Sequence, residues 1–182
     1  MGRPGSGKGT QALLLAQKIG ARDISLGVQF RALIKGDTYL GKRLRAGLES
    51  GELAPTWLAD YVCQKELLFL EPEEVVVFDS GCRIKSEAIL FNEIHEWLKR
   101  SYVVVYIDVS EAEIKQRIQK RHSQEGRADD HENSIGKRIQ EFEEKTLQSV
   151  EYFTSIGKLI VVNGEQTVEE VRAEVLKVLQ IK

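Results

Sequence analysis

The stretch Met1-Gly2-Arg3-Pro4-Gly5-Ser6-Gly7-Lys8-Gly9-Thr10 constrains this chain more than any other. Its glycines and Pro4 let the backbone curl tightly, so that successive N–H groups point inward. Such a loop running into a helix cradles phosphate, because the helix N-terminus adds free N–H donors and the positive end of its dipole. Lys8 reaches over the terminal phosphates of a nucleotide as a point charge, and Thr10 offers a hydroxyl near a magnesium ion. Gly2, Gly7 and Lys8 keep P-loop spacing, although the strict pattern wants Ser or Thr directly after the lysine and Gly9 intervenes. A helical run follows, which separates this loop from a plain glycine-rich turn.

A chain of 182 residues fits one domain spanning 1–182, with room for small inserts. Its 42% hydrophobic content suffices for a core. The net charge of −2 implies no polyanion-binding surface, so no nucleic-acid partner is expected and a nucleotide site must concentrate its arginines locally. Cys63 and Cys82 have no metal-like spacing, which suits a reduced cytoplasm. No apolar run approaches the roughly 18 residues of a membrane span, and no signal-peptide pattern opens the chain. A cytoplasmic location without membrane contact is therefore the expectation.

Apolar spacing predicts a helix over Gln11–Ile19 stopped by Gly20, a short strand at Asp23–Ser25, and helical pieces at Phe30–Ile34 and Tyr39–Leu48. A further helix is expected over Trp57–Leu70, with Trp57, Leu58, Tyr61, Val62 and Leu68 on or near one face. Val75-Val76-Val77-Phe78 reads as a buried parallel strand ending in Asp79, and Val103–Val109 as the strongest strand of the chain. A carboxylate at the C-terminal end of such a strand faces the crevice where open α/β sheets bind ligands, although alone it equally suits a helix N-cap. Helices over Ile84–Leu98 and Glu111–Arg121 follow these strands, with His95 expected at the surface or half-buried. Ile135, Ile139, Phe142 and Val150 form a core stripe on the next helical stretch. Leu159–Val162 is the last strand and Val168–Leu179 the last helix.

Gly2 to Gln11 resembles the P-loop of the adenylate kinases, nucleoside monophosphate kinases in which Gly-Lys-Gly-Thr replaces the usual Gly-Lys-Ser/Thr. The resemblance extends over nearly the whole chain. Asp79-Ser80-Gly81-Cys82-Arg83 matches the family's Asp-Gly-Phe-Pro-Arg at its ends, Ser50–Pro55 is similar to the loop under the acceptor base, and Asn163-Gly164 to the turn beside the donor base. It implies an α/β fold, a P-loop three-layer sandwich with a mostly parallel sheet flanked by helices. A small acceptor-binding helical insert would span about 25–55 and a short lid about 121–130. It implies in-line transfer of the ATP γ-phosphoryl group to a nucleoside monophosphate, AMP by resemblance, with Mg2+ as cofactor and nucleotides as the partners of a monomer. The lid has no cysteines, so the zinc-bearing long-lid variant is excluded.

The resemblance also assigns residues. Lys8, Arg83, Arg121, Arg127 and Arg138 are the catalytic cations. Gly5, Ser6, Gly7, Lys8, Gly9, Thr10, Arg117, Arg121 and Gly164 hold the donor nucleotide. Leu26, Arg31, Ala54, Arg83, Glu87, Arg127 and Arg138 hold the acceptor. Asp79, with Thr10, orients magnesium through water. Guanidinium groups suit phosphoryl transfer, whose charge spreads over equatorial oxygens, because each is a permanently charged planar fork of donors.

Four departures bear on this reading. The family's first strand precedes the P-loop, and only Met1 stands there, so two strand edges are expected to lack partners and a late start or a truncated chain is the simplest expectation. Leu26-Gly27-Val28 replaces Thr-Gly-Asp, which changes the acceptor pocket and removes a carboxylate near the metal. Ser80, Gly81 and Cys82 alter the turn after the strand. Glu87 replaces a glutamine that faces adenine, and a carboxylate accepts hydrogen bonds but cannot donate to adenine N1. The expectations are therefore a kinase for AMP or for a different acceptor such as GMP, CMP or UMP, or a non-catalytic nucleotide-binding relative.

Overall fold

In the computed structural model the glycine loop runs directly into helix α1 (Lys8–Ile19). The structure describes residues 1–50, 52–125 and 132–181, with the side chains of 120–125, 132 and 133 left aside. Gly7 caps α1 from the left-handed region at φ 84°, a conformation that disfavours a Cβ. No side chain caps the helix, and its first turn carries no acid. At the other end Gly20 adopts φ 66° and turns its N–H to the Ala16 carbonyl, a left-handed stop.

Two parallel pairs of strands follow. β1 (Arg22–Ser25) pairs with β2 (Val76–Asp79), and β3 (Val104–Asp108) pairs with β4 (Leu159–Asn163). Parallel pairing needs long crossovers, and the intervening helices supply them. Between β1 and β2 lie α2 (Leu26–Lys35), α3 (Tyr39–Glu49) and α4 (Thr56–Leu68). Ser25 and Thr38 cap α2 and α3 through their hydroxyls. α5 (Lys85–Trp97) leads to β3, and α6 (Glu111–Glu125) leaves it. α7 (Glu132–Glu141), a π-helical turn (Phe142–Thr146) and α8 (Leu147–Ser155) then lead to β4, and α9 (Val168–Val178) opens on a Thr167–Glu170 capping box.

Helices cover both faces of the strands, giving three layers. Ile107, Val109 and Val162 pack with Ile114 and Ile118 of α6, Ile139 of α7 and Val171 and Val175 of α9. On the opposite face Leu67, Ala88, Phe91 and Phe153 gather around Phe78, Val104 and Leu159. Each such apolar side chain contributes about 1.5–3 kcal/mol by leaving water. A third cluster, Leu26, Phe30, Leu44, Leu58 and Val62, binds α2, α3 and α4 to one another.

Among the described residues β2 and β3 have no strand on their facing sides, so the two edges expected to lack partners do lack them. Met1 begins to fill the gap. Its amine donates to the Val105 carbonyl, and its own carbonyl accepts the Ile107 N–H at 2.9 Å, one rung of a parallel ladder. Burial lowers the pKa of that amine to about 6. A cavity of about 700 Å³ separates the edges, walled by Val76, Val77, Val104 and Val105.

Three side-chain expectations change. On α4 Leu58, Val62 and Leu67 turn inward, while Trp57, Tyr61 and Leu68 are exposed, because only one stripe meets α2 and α5. His95 is buried, only 6% exposed, between the rings of Phe91 and Tyr102. Ile139 and Phe142 of the α7 stripe are buried as expected, but the π-turn begins at Phe142 and shifts the register beyond it. Among the described residues no helix is long and apolar enough to cross a membrane.

Candidate functional site

The parallel strands end on the side where the loop lies, and their terminal residues meet it. Ser25 and Asp79 are register partners at the ends of β1 and β2, and the Ser25 hydroxyl donates to Asp79 Oδ2 at 3.3 Å. That carboxylate lies against the start of α1, where a Cβ on Gly9 would come within 3.4 Å of Oδ2. The intervening glycine thus leaves room for a close approach between loop and strand end. Asp79 is not an N-cap, since α5 begins from Ile84.

The loop is held from below by a residue that sequence reasoning passed over. Arg3 donates to Asp108 Oδ1 at 3.4 Å and to the Val109 carbonyl at 3.3 Å, tying the loop to the end of β3. Its guanidinium also lies 5.3 Å over the Phe142 ring, in the π-turn just beyond Arg138. An arginine inside a glycine loop was the available signal. Lys8 folds back to donate to the Arg3 carbonyl at 3.3 Å. No neighbour would lie within 4 Å of a Cβ on Gly7, so the mouth of the loop is open. Open space, uncapped helix N–H groups and a lysine fit a polyphosphate.

A second cavity, of about 790 Å³, lies among α2, α3, α4 and the turn after β2. Leu26, Arg31, Ala54, Arg83, Glu87 and Arg138 all line it. Arg83 and Arg138 also line the first cavity, together with Lys8 and Asp79. Burial lowers the Arg83 pKa, with the positive charge of Arg138 adding to the effect and Asp79 and Glu87 opposing it. The turn that delivers Arg83 is unusual, because Ser80 and Cys82 both adopt left-handed backbone, at φ 68° and φ 56°. A Cβ on the intervening Gly81 would strike the Phe78 ring at 2.7 Å.

Glu87 has a structural partner that the sequence did not reveal. Its Oε2 accepts the Arg83 backbone N–H at 2.7 Å, reaching back over the first turn of α5. Burial raises its pKa, which the Arg83 N–H opposes, while the charge of nearby Asp60 raises it further. Asp60 lines the same cavity and was not foreseen, as was Cys63, whose thiol burial pushes up to about 12.

The remaining candidates lie elsewhere or outside view. Arg117 is on α6 and its Nε donates to Glu113 at 2.7 Å. Gly164 is buried at the end of β4 and donates its N–H to the Asp108 carbonyl at 2.7 Å. Glu165 beside it accepts from the Ser110 side chain and N–H, which lower its pKa with help from Arg117, so these residues share one edge. Val28 is exposed and brings no carboxylate to the loop. The backbone of Arg121 lies on α6, but its side chain, Arg127 and most of the expected lid at about 121–130 fall outside the described residues.

Magnesium was expected through Asp79 and Thr10. The described residues contain no cluster of three or more His, Cys, Asp or Glu side chains suited to a metal. Magnesium bound with nucleotides takes phosphate oxygens and waters with one or two carboxylates, and Asp79 at the loop fits that smaller role.

The adenylate kinase family model matches residues 1–158. The chain is 37% identical over 136 residues to the adenylate kinase of Thermus thermophilus, covering 74% of this chain and 70% of that protein. It is 36% identical over 135 residues to the adenylate kinase of Phocaeicola vulgatus, covering 74% and 71%, and 32% identical over 136 residues to that of Thermobifida fusca, covering 74% and 72%. With a loop built for phosphates, arginines between two cavities and this likeness along its length, the chain belongs to the adenylate kinase family of nucleotide phosphotransferases.

Proposed function

We propose that this chain transfers the γ-phosphoryl group of ATP to a nucleoside monophosphate seated in the 790 Å³ cavity, giving ADP and a nucleoside diphosphate. The observation that carries the reading is that Arg83 and Arg138 line the acceptor cavity and also share a lining with Lys8 and Asp79 of the loop and strand end. Both cations therefore stand on the loop side of the acceptor cavity, where a group moving from donor to acceptor needs them.

Lys8 and the loop N–H groups hold the donor phosphates, and Arg3 keeps the loop fixed to β3 while they do so. Arg31 and Arg83 hold the acceptor phosphate, which is largely ionised at neutral pH, so no strong general base is needed. Arg138, with Arg121 and Arg127, stabilises the charge that develops on the transferring group. Bound magnesium would supply charge neutralisation to the phosphates. Asp79 and Thr10 orient its water shell. Leu26 and Ala54 form apolar walls for the acceptor base. Arg117 and Gly164 flank the donor base, and closure of the segment about 121–130 excludes water that would hydrolyse ATP. The protein works as a monomer in the cytoplasm.

Incubation with Mg·ATP and each of AMP, GMP, CMP and UMP tests the reading through nucleoside diphosphate formation. A diphosphate made from an added monophosphate supports it. Release of inorganic phosphate at a rate indifferent to every monophosphate would sink it.

A further inference from the structure

The acceptor cavity is lined by two chemically different groups of side chains. Arg31, Arg83 and Arg138 supply cations, and Arg83 senses the charges of the other two and of Glu87. Asp60, Cys63 and Glu87 belong to the same lining, where both carboxylates raise the Cys63 pKa and Asp60 raises that of Glu87. Among the described lining residues there is no amide, histidine or threonine. Leu26, Phe30, Ala59 and Phe91 add apolar walls.

Glu87 is fixed rather than free to swing. Its Oε2 takes the Arg83 N–H at 2.7 Å, and the residue is 9% exposed. The Ile84 N–H bonds the same carboxylate; a carboxylate has about four lone-pair sites, so about half of its accepting capacity is left for a ligand. The bond from the Arg83 N–H also ties the position of Glu87 to the backbone that carries the phosphate-binding Arg83.

We propose that this cavity selects a guanine nucleotide, whose N1–H and N2–H₂ donors are read by Glu87 with Asp60 supporting. The assignment rests on the phosphoryl-transfer reading only for what happens after binding. Of the common bases, guanine alone presents adjacent ring N–H and amino donors on its Watson–Crick edge, a match for the two oxygens of one carboxylate. Adenine and cytosine each set an amino donor beside a ring nitrogen acceptor, which faces the carboxylate lone pairs. Uracil sets its single N–H between two carbonyl acceptors. A buried carboxylate left against an acceptor loses its hydrogen bond without regaining water, so discrimination is strongest where the site is driest.

Equilibrium binding of GMP, AMP, CMP and UMP to the full chain without ATP, followed by calorimetry, tests the assignment apart from transfer. GMP is expected to bind about 10–100-fold more tightly than AMP. Glu87→Gln keeps an oxygen for the Arg83 N–H, so α5 still starts normally, but it adds an amide donor and is expected to reverse the order. Asp60→Asn narrows the GMP advantage and leaves its sign. AMP binding as tightly as GMP, an unchanged order in Glu87→Gln, or no binding of any monophosphate would overturn the guanine assignment. Diphosphate formation measured in parallel separates the two readings. GMP selectivity without turnover keeps the base assignment and removes the transfer reading, whereas turnover favouring AMP does the reverse.

Discussion

The backbone N–H of Arg83 donates to Glu87 Oε2 at 2.7 Å, and this bond joins two residues that line the acceptor cavity. In the proposed complex Arg83 would carry a cation towards the transferring phosphate, and Glu87 a carboxylate towards the base. Because both belong to the first turn of α5 and the residues before it, their spacing is set by local backbone. Removing the carboxylate by Glu87→Ala leaves the N–H of Arg83 without its partner and is expected to cost about 1–3 kcal/mol. Glu87→Gln should cost far less. Urea unfolding of the two variants checks this, and equal losses would show the bond to be unimportant.

Arg138 stands where both cavities meet. Arg138→Met is expected to lower kcat by about 10²–10³ while the unfolding midpoint changes little, since one donor to the developing charge is lost. Steady-state kinetics beside a thermal melt separates that outcome from misfolding. A rise in KM at constant kcat would make the residue a binding group instead.

Ser80 holds left-handed backbone at φ 68°. A Cβ there costs about 1–2 kcal/mol, and glycine returns roughly 0.5–1 kcal/mol of that in unfolded-chain entropy. Ser80→Gly should therefore stabilise the fold by about 0.5–1 kcal/mol, read from the denaturation midpoint. Destabilisation would mean that the Ser80 side chain makes a contact worth more than the strain.

His95 sits in an aromatic pocket with Nδ1 2.8 Å from the Phe91 carbonyl. Burial holds its pKa below the ordinary 6.5, with the charges of Arg100 and Lys158 adding to this and the Phe91 carbonyl opposing it. Between the folded value and 6.5 the unfolded chain binds a proton that the native chain refuses, so stability rises with pH across that interval. The folded protein should lose stability as pH falls below 6.5, and His95→Gln should flatten that part of the curve. Parallel slopes in wild type and variant would exclude His95 as the cause.

Gly164 closes β4 against the end of β3. A Cβ on it would meet Ile107 Cγ2 at 2.6 Å and the Asp108 carbonyl at 2.9 Å, besides pressing on Val109. The backbone carbonyl cannot swing aside, so Gly164→Ala is expected to destabilise by about 1–3 kcal/mol through overpacking. A calorimetric melt at unchanged Tm would show that the strand ends yield more than close packing allows.

Helices and strands were legible wherever local chemistry decided them. Gly20 stopped α1, the valine runs made β2 and β3, and the glycine loop led into α1. The face of a helix was less legible. Trp57 and Tyr61 share a helix with buried Leu58 and Val62, and only the positions of α2 and α5 choose between the two stripes. His95 is polar in isolation, and two aromatic neighbours from elsewhere in the chain make it a core residue.

The sequence by itself determined the loop, the order of the elements and the residue types of the candidate site, because these follow from short-range steric and hydrogen-bonding rules. Only tertiary structure decided that Arg3 anchors the loop, that Arg83 and Arg138 each line two cavities, and that Glu87 shares one of them with Asp60. Those relationships join residues distant in the chain, and their geometry comes from how the layers pack rather than from any local preference.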